Sequence, residues 1–515
     1  MHMNLEVETD AGTVRGTRHD GTLSFKGIPF AAAPVGELRF AAPAPAPSWT
    51  GVRDATGYGP ISPQHLDPLS AMIAGCEWNY YHPAAVADED CLNLNVWVPD
   101  TDREAPRAVY VWIHGGAFLA GSGTGLWCDG SSLAAQEDII VVTVNYRLGA
   151  LGGLAPEQGE VSGNNFVLDQ IAALRWVRDN IAAFGGDPDQ VTIGGESAGA
   201  MSVVTLMSSP AARGLFRAAI VQSGHGALIG DQDHARNVGR RYLSQLDLPE
   251  QDRLTALRSV ELSTLMDAQE RLTGEVMVPF RPVVDGQVLP AEPLELFRAG
   301  AQAAVPLLIG INTDENNLLT VMGMGPGQMR DDLPTRIAEL FDDPKPEVLA
   351  ELVELYRGLE PTDVDAWNTL TSDRDWRSPV RDLSDAHADS GAPVFSYEFT
   401  YRSPVMGGAL RACHALEIPF SFGNLAQRGV SEFVGDDEQL QPVREAAERA
   451  FVQAWGSFIR TGRPVSTELP DWPEYRSGQR NVMRIGADPG VSVDPAGSRL
   501  DRWQELAPQW RLLEL

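Results

Sequence analysis

Apolar strand-like runs that alternate with helical periodicity constrain this chain more than any other feature. "IIVVTVNY" (139–146) is continuously apolar, as suits a strand covered on both faces, and "DQIAALRWVRDNIAAF" (169–184) spaces its apolar residues at helical intervals. "QVTIGG" and "AGAMSVVTLM" repeat the strand-then-helix pattern, while "FRAAIVQSG", "VPLLIGINTDE" and "PVFSYEFTY" carry the same buried-strand signal. The N-terminal third has short β-like runs between turns: "GTVRGT", "LSFKGIPF", "NLNVWVP" and "AVYVWIH". Strands alternating with helices predict a mostly parallel sheet with helices on both faces, an α/β fold, over a single domain spanning 1–515. Two stretches interrupt the rhythm: the Pro- and aromatic-rich segment 60–88 and the acidic, helix-rich segment 316–385. Excursions of this kind sit over one end of a sheet, so 60–88 is expected over the mouth of a pocket and 316–385 as part of its cap.

Charge narrows the partners. A net charge of −30 and a pI near 4.6 argue against nucleic acid and anionic membrane surfaces, both of which need a basic face. Neutral or cationic small molecules remain. The start, "MHMNLEVETDAG", lacks the apolar core of a secretory signal, and no stretch reaches the roughly 18 apolar residues of a membrane span. The chain therefore reads as soluble and cytoplasmic, a monomer or a small homo-oligomer. Its four cysteines are too few for a disulfide scaffold and form no CxxC pair; only Cys76 and Cys91 are close enough in sequence for a local bridge, which a reducing compartment disfavours. No metal or other cofactor is expected, and the absence of G-x-x-x-x-G-K-[ST] argues against an NTPase.

Gly195-Glu196-Ser197-Ala198-Gly199 fits G-x-S-x-G, with "QVTIGG" as the strand before it and "AGAMSVV" as the helix after it. A serine on so sharp a turn takes a strained backbone conformation, and only tiny neighbours let strand and helix approach it. Its hydroxyl is a poor nucleophile near neutral pH and needs a base, which in turn needs a carboxylate to fix its tautomer. In strand–turn–helix hydrolases the order is nucleophile, acid, histidine, which leaves His225, His234, His387 and His414 of the nine histidines. His225 and His234 follow the serine too closely, and His387 in "DLSDAHADS" reads as the solvated face of a helix. His414, in a loop after "PVFSYEFTY", suits a base delivered to a sheet edge. "PLLIGINTDENN" offers Asp314 and Glu315 at a strand end, and spacing does not choose between them; both also fit as caps of the next helix. "VYVWIHGGAFLAGSG" places His114-Gly115-Gly116-Ala117 after a strand, a glycine-rich loop able to aim backbone N–H groups at an oxyanion, and the N–H of Ala198 adds another donor.

These residues resemble the type-B carboxylesterase and cholinesterase family of α/β-hydrolases. The likeness runs through "FKGIPFAAAPVGELRF" (25–40), "EDCLNLNVWVP" (89–99), "VTVNYRLGALG" (142–152), the segment 163–200, "PVVDGQVLP" (282–290) and "WGSFIRTGRP" (455–464). The resemblance implies a serine carboxylesterase with Ser197 as nucleophile, His414 as general base and Glu315 rather than Asp314 as the acid. It implies oxyanion donors on Gly116, Ala117 and Ala198, a supporting hydrogen bond from Ser223, and salt bridges Arg39–Glu89 and Arg147–Asp169. Ser62 stands where eukaryotic relatives carry the cysteine that pairs with Cys91. Val276 and Val278 stand where acetyl-choosing cholinesterases crowd the pocket with aromatics, implying room for larger acyl groups; Tyr80 and Tyr81, with Trp78 nearby, lie near the place of a choline-stacking tryptophan and read as pocket lining. An esterase-like adhesion protein is the rival from another class, but such relatives lose the nucleophile and carry a tether. Carbamate, amide or aromatic-diester hydrolysis by the same triad is the nearer alternative, because acyl and alcohol preference reside in 60–88, 270–280 and 316–385. With a histidine of ordinary pKa, about 6.5, activity is expected to fall in mild acid.

Overall fold

The computed structural model describes residues 4–19, 21–65, 81–103, 105–155, 163–249, 251–323, 332–341 and 345–506. In chain order its strands are β1 (Glu6–Glu8), β2 (Thr13–Arg15), β3 (Thr17–His19), β4 (Thr22–Pro29) and β5 (Val52–Asp54). Then come β6 (Asn93–Pro99), β7 (Arg107–Ile113), β8 (Ile140–Val144), β9 (Gly186–Glu196) and β10 (Ala218–Gln222). The last four are β11 (Leu307–Asn312), β12 (Val394–Phe399), β13 (Asn481–Ile485) and β14 (Gly490–Val493).

β1, β2 and β5 form a small separate sheet; the other eleven make one large sheet in the order β14-β13-β12-β11-β10-β9-β7-β8-β6-β4-β3. Neighbours from β8 through β13 pair in parallel, and the two ends of the sheet are antiparallel. The central strands explain the unbroken apolar runs. Val109, Val111 and Ile113 of β7 join Val142, Ile193, Val221 and Ile309 in one core cluster, while the intervening Tyr110 and Trp112 join Val141, Ile220, Leu308 and Tyr397 in another. With a side-chain period of two, both faces are buried only if every position is apolar.

Helices Asn165–Asn180 and Ala198–Ser208 cover the first face through Phe166, Ile171, Leu174, Val203 and Leu206. Helices Ser131–Glu137 and Gln441–Thr461 cover the second through Leu133, Phe451, Trp455 and Phe458. The first of these helices begins four residues before the expected start at 169, because Phe166 and Val167 are themselves core residues. β13 and β14 carry no strong strand signal; β14 is an edge whose Val491 and Val493 face solvent.

The salt bridges Arg39–Glu89 and Arg147–Asp169 are both present, the second wholly buried with contacts of 2.6 and 2.8 Å. Cys91 is a free, buried thiol, and Ser62 beside it accepts the Leu148 N–H at 3.0 Å; Cys76 lies outside the described residues. His387 corrects the sequence reading. It is fully buried rather than solvated, with Nδ1 3.1 Å from the Gln302 amide and Nε2 2.8 Å from the Val305 carbonyl, because its helix packs back onto the sheet through Val380 and Leu383. Among the described residues no helix is long and apolar enough to cross a membrane. Of 60–88, residues 66–80 lie outside the description. Within 316–385 the chain forms helices Asn317–Val321, Leu333–Ala338, Pro346–Arg357 and Asp363–Ser372, then a single π-helical turn, Asp373–Arg377, that runs into helix Ser378–Asp389. Leu333, Ile337, Leu352, Tyr356 and Leu370 give this part its own small core, closed by Trp503.

Candidate active site

β9 lies between β7 and β10 and ends at Glu196; Ser197 follows with φ 55° and ψ −126°, and a helix starts at Ala198. Such a left-handed non-glycine conformation costs about 1–3 kcal/mol and survives only where its surroundings over-determine it. Here the Ser197 N–H bonds the Gln222 carbonyl at 3.0 Å, and the Ser197 carbonyl accepts the Met201 N–H at 2.8 Å. A Cβ on Gly199 would lie 2.0 Å from the Ile113 carbonyl oxygen, and one on Gly195 would lie 2.5 Å from the Gly199 carbonyl carbon. The two glycines of the motif are therefore steric necessities. Ser197 itself stays partly exposed.

Glu315 stands three residues beyond the end of β11. Glu315 Oε2 lies 2.6 Å from His414 Nδ1, and its Oε1 accepts the Ser223 hydroxyl at 2.6 Å and the Asn312 N–H at 2.8 Å. The His414 N–H in turn bonds the Glu315 carbonyl at 3.2 Å. Asp314 faces the other way, toward Arg402 and Arg411 at 3.3 and 3.4 Å, and accepts the Ala412 N–H. The other imidazole nitrogen, His414 Nε2, lies 3.1 Å from Glu196 Oε1; no hydrogen bond joins the Ser197 hydroxyl to His414 among the described residues. Catalytic hydrogen bonds in ligand-free structures often tighten only when substrate is present.

Opposite the serine, the loop after β7 runs through Gly116, Ala117 and Phe118, all with positive φ. It is folded on itself by the N–H groups of Leu119 and Ala120, which both bond the Gly116 carbonyl at 2.9 Å. It also presses on the elbow: a Cβ on Gly115 would meet Glu196 Oε2 at 2.6 Å and Ser197 Cβ at 3.1 Å. Among the described residues, the N–H groups of Gly116, Ala117 and Ala198 have no acceptor. His114 braces the loop from below, stacked on Tyr146 at 4.4 Å, whose hydroxyl donates to the His114 carbonyl at 2.7 Å. Burial pushes the His114 imidazole down to about 4, so it is neutral.

Carboxylates crowd the histidine. Burial pulls His414 down, but Glu196 and Glu315 beside it outweigh that and raise it to about 9. Folding thus brings to one imidazole acids that lie 99 and 218 positions away in the chain, which favours its charged form. Burial also pushes Glu196 well above the usual carboxylate range. Burial, with Glu315 adding to it, raises Glu417 to about 7; its carboxylate accepts the Asn312 amide at 2.6 Å. His225 is near but distinct, its ring 5.7 Å from that of Trp376, and burial pushes it down to about 4.

The profile of the "Carboxylesterase family" matches residues 3–503. The chain belongs to the carboxylesterase family. This carboxylesterase is 38% identical over 505 residues to the para-nitrobenzyl esterase of Bacillus subtilis, covering 96% of this chain and 97% of that one. It is 35% identical over 501 residues to the phenmedipham hydrolase of Pseudarthrobacter oxydans, covering 95% and 96% respectively. A solved carboxylesterase of Geobacillus stearothermophilus superposes with a TM-score of 0.85 at 40% identity, over 97% of this chain and all of the other. The protein is a carboxylic ester hydrolase of the α/β-hydrolase fold.

The residues expected to line the pocket of this carboxylesterase are placed unevenly. Tyr80 and Trp78 lie outside the described residues, and Tyr81 is half-buried. Val276 caps the end of helix Leu262–Thr273 by bonding the Leu272 carbonyl, while Val278 is buried in the core cluster that contains Ala198 and Met201. Three neighbours of His414 escaped the sequence reading. Glu196 was present inside the motif and Glu417 three residues beyond the histidine. Trp376, 38 residues before it, has no sequence signal and reaches it only through the fold.

Proposed function

We propose that Ser197, His414 and Glu315 form the catalytic triad that hydrolyses esters through an acyl-enzyme. The observation that carries this reading is the 2.6 Å contact of Glu315 with His414 Nδ1 beside a serine held at a strained strand–helix turn. Glu315 fixes the tautomer that leaves Nε2 free to accept a proton. On substrate binding Nε2 turns from Glu196 to the Ser197 hydroxyl and takes its proton as Oγ attacks the carbonyl. The N–H groups of Gly116, Ala117 and Ala198 receive the developing oxyanion. His414 then protonates the leaving alcohol, and water repeats the cycle on the acyl-enzyme. Ser223 supports the acid through its 2.6 Å hydrogen bond.

The substrates are small uncharged esters with acyl groups larger than acetyl, an inference supported by Val276 and Val278 in place of bulkier aromatics and by the net charge of −30. A reducing, cytoplasmic setting fits the free thiols of Cys91, Cys128 and Cys413. Incubation with an alkyl p-nitrophenyl phosphonate followed by peptide mass spectrometry tests the nucleophile. A single adduct on Ser197, formed in step with loss of activity, is the expected result; inactivation with the label elsewhere refutes the assignment. A panel of p-nitrophenyl esters from acetate to octanoate, with a carbamate and an anilide, then ranks the acyl groups.

A further inference from the structure

The π-helical turn Asp373–Arg377 stands beside the active site and has no part in the triad. Its closing bond runs from the Ser378 N–H to the Asp373 carbonyl, five residues back, so it inserts one residue into an otherwise continuous helix from Asp363 to Asp389. Such single turns re-aim side chains and recur at functional sites. The side chain re-aimed here is Trp376. Its ring centroid lies 4.4 Å from that of His414, with the planes inclined by 38°, and 5.7 Å from that of His225 on another side.

The indole is anchored at its polar end. Trp376 Nε1 donates to Asn316 Oδ1 at 2.9 Å, Asn316 Nδ2 donates to Asp375 at 3.1 Å, and the Asn316 N–H bonds Ser372 Oγ at 3.1 Å. Asn316 directly follows Glu315, so the strand end that delivers the acid also fixes the tryptophan. The turn is tied to the same strand end by Arg377, which donates to the Thr313 carbonyl at 3.2 Å, and to β12 by its 2.8 Å bond to Glu398, while Arg374 pairs with Asp375 within the turn.

We propose that Trp376 is a positioning residue for His414: its indole holds the imidazole against Glu315 and favours the imidazolium that forms as Ser197 is deprotonated. An aromatic face within about 6 Å of a cation attracts it through the ring quadrupole. Glu315 and Glu196 hold the two ring nitrogens at 2.6 and 3.1 Å, and the indole packs against the ring itself. The other groups facing His414 are Glu315 at the end of β11, Glu196 at the end of β9, Glu417 on the histidine's own loop and neutral His225 after β10. The tryptophan acts on the same proton as these acids without a charge of its own.

The inference rests on His414 being the base, and its test keeps the two apart. Trp376→Leu and Trp376→Met remove the aromatic face, and Trp376→Phe retains one. In the full-length enzyme with p-nitrophenyl butyrate, Leu and Met are expected to lower plateau kcat about tenfold with KM changed less than threefold. They are also expected to move the acid limb of kcat/KM down by about half a pH unit, the loss of a modest cation–π contact, and Phe is expected to recover most of both changes. Circular dichroism selects the variants that fold, and either Leu or Met suffices. If the folded variant keeps kcat within twofold and its acid limb in place, or if Phe is as impaired as Leu, the positioning role is wrong. Retention of activity by His414→Asn would instead overturn the triad reading and leave the packing of Trp376 without this consequence.

Discussion

Asp314 and Glu315 are adjacent in the chain, yet only Glu315 reaches His414, while Asp314 pairs with Arg402 and Arg411. Glu315→Gln is expected to lower kcat on the order of 10⁴-fold, because an amide no longer fixes the imidazole tautomer. Asp314→Asn is expected to keep kcat within a few-fold and to cost about 2 kcal/mol of stability, through weakened charge-assisted bonds to Arg411 and the Ala412 N–H. Steady-state kinetics beside urea unfolding of both variants checks the split. The reverse pattern would mean that the wrong carboxylate has been chosen.

Ser197→Ala is expected to leave the fold intact and to reduce turnover of p-nitrophenyl butyrate by 10⁴-fold or more, in order of magnitude. Near-wild-type turnover by this variant would remove Ser197 from the mechanism.

The pH dependence follows from the acids around His414. With His414 proposed as the base and acting as neutral imidazole, activity is expected to be lost as pH falls through its folded pKa. Burial lowers that value, but Glu196 and Glu315 raise it to about 9. The acid limb of kcat/KM is therefore expected above the ordinary histidine value of about 6.5, and Glu196→Gln is expected to move it down. A wild-type limb at or below 6.5 would contradict this electrostatic account.

Gly199→Ala tests the elbow. The added Cβ would lie 2.0 Å from the Ile113 carbonyl oxygen, which belongs to a central strand and has little room to retreat. A stability loss of about 3 kcal/mol or more is expected, with a fall in kcat as the Ser197 turn is displaced. Thermal unfolding and kinetics at wild-type levels would show that the close packing is dispensable.

Much of the fold was legible because burial on both faces writes itself into consecutive residues. β7, β8, β10, β11 and β12 largely coincide with apolar runs, as does the second half of β9, whose polar start at 186–189 the run did not mark, and the helix after Ser197 is marked by its small and apolar residues. β13 and β14 were not legible, since short strands near a sheet edge need no such run. His387 misled for a related reason: its polar neighbours suggested solvent, and only the packing of its helix against the sheet buries it.

The sequence by itself determined the α/β class, the glycine-framed serine, the loop after β7 and the chain order of that serine, the two adjacent carboxylates and His414. These are local properties: a turn requires glycine, and a doubly covered strand requires apolar residues. Tertiary structure alone decided which of two adjacent carboxylates faces the imidazole, that Glu196 and Glu315 raise its pKa, and that Trp376 lies against it. Those relations join residues 38 to more than 200 positions apart, and both Coulomb and contact energies depend on distance through space, which local sequence does not encode.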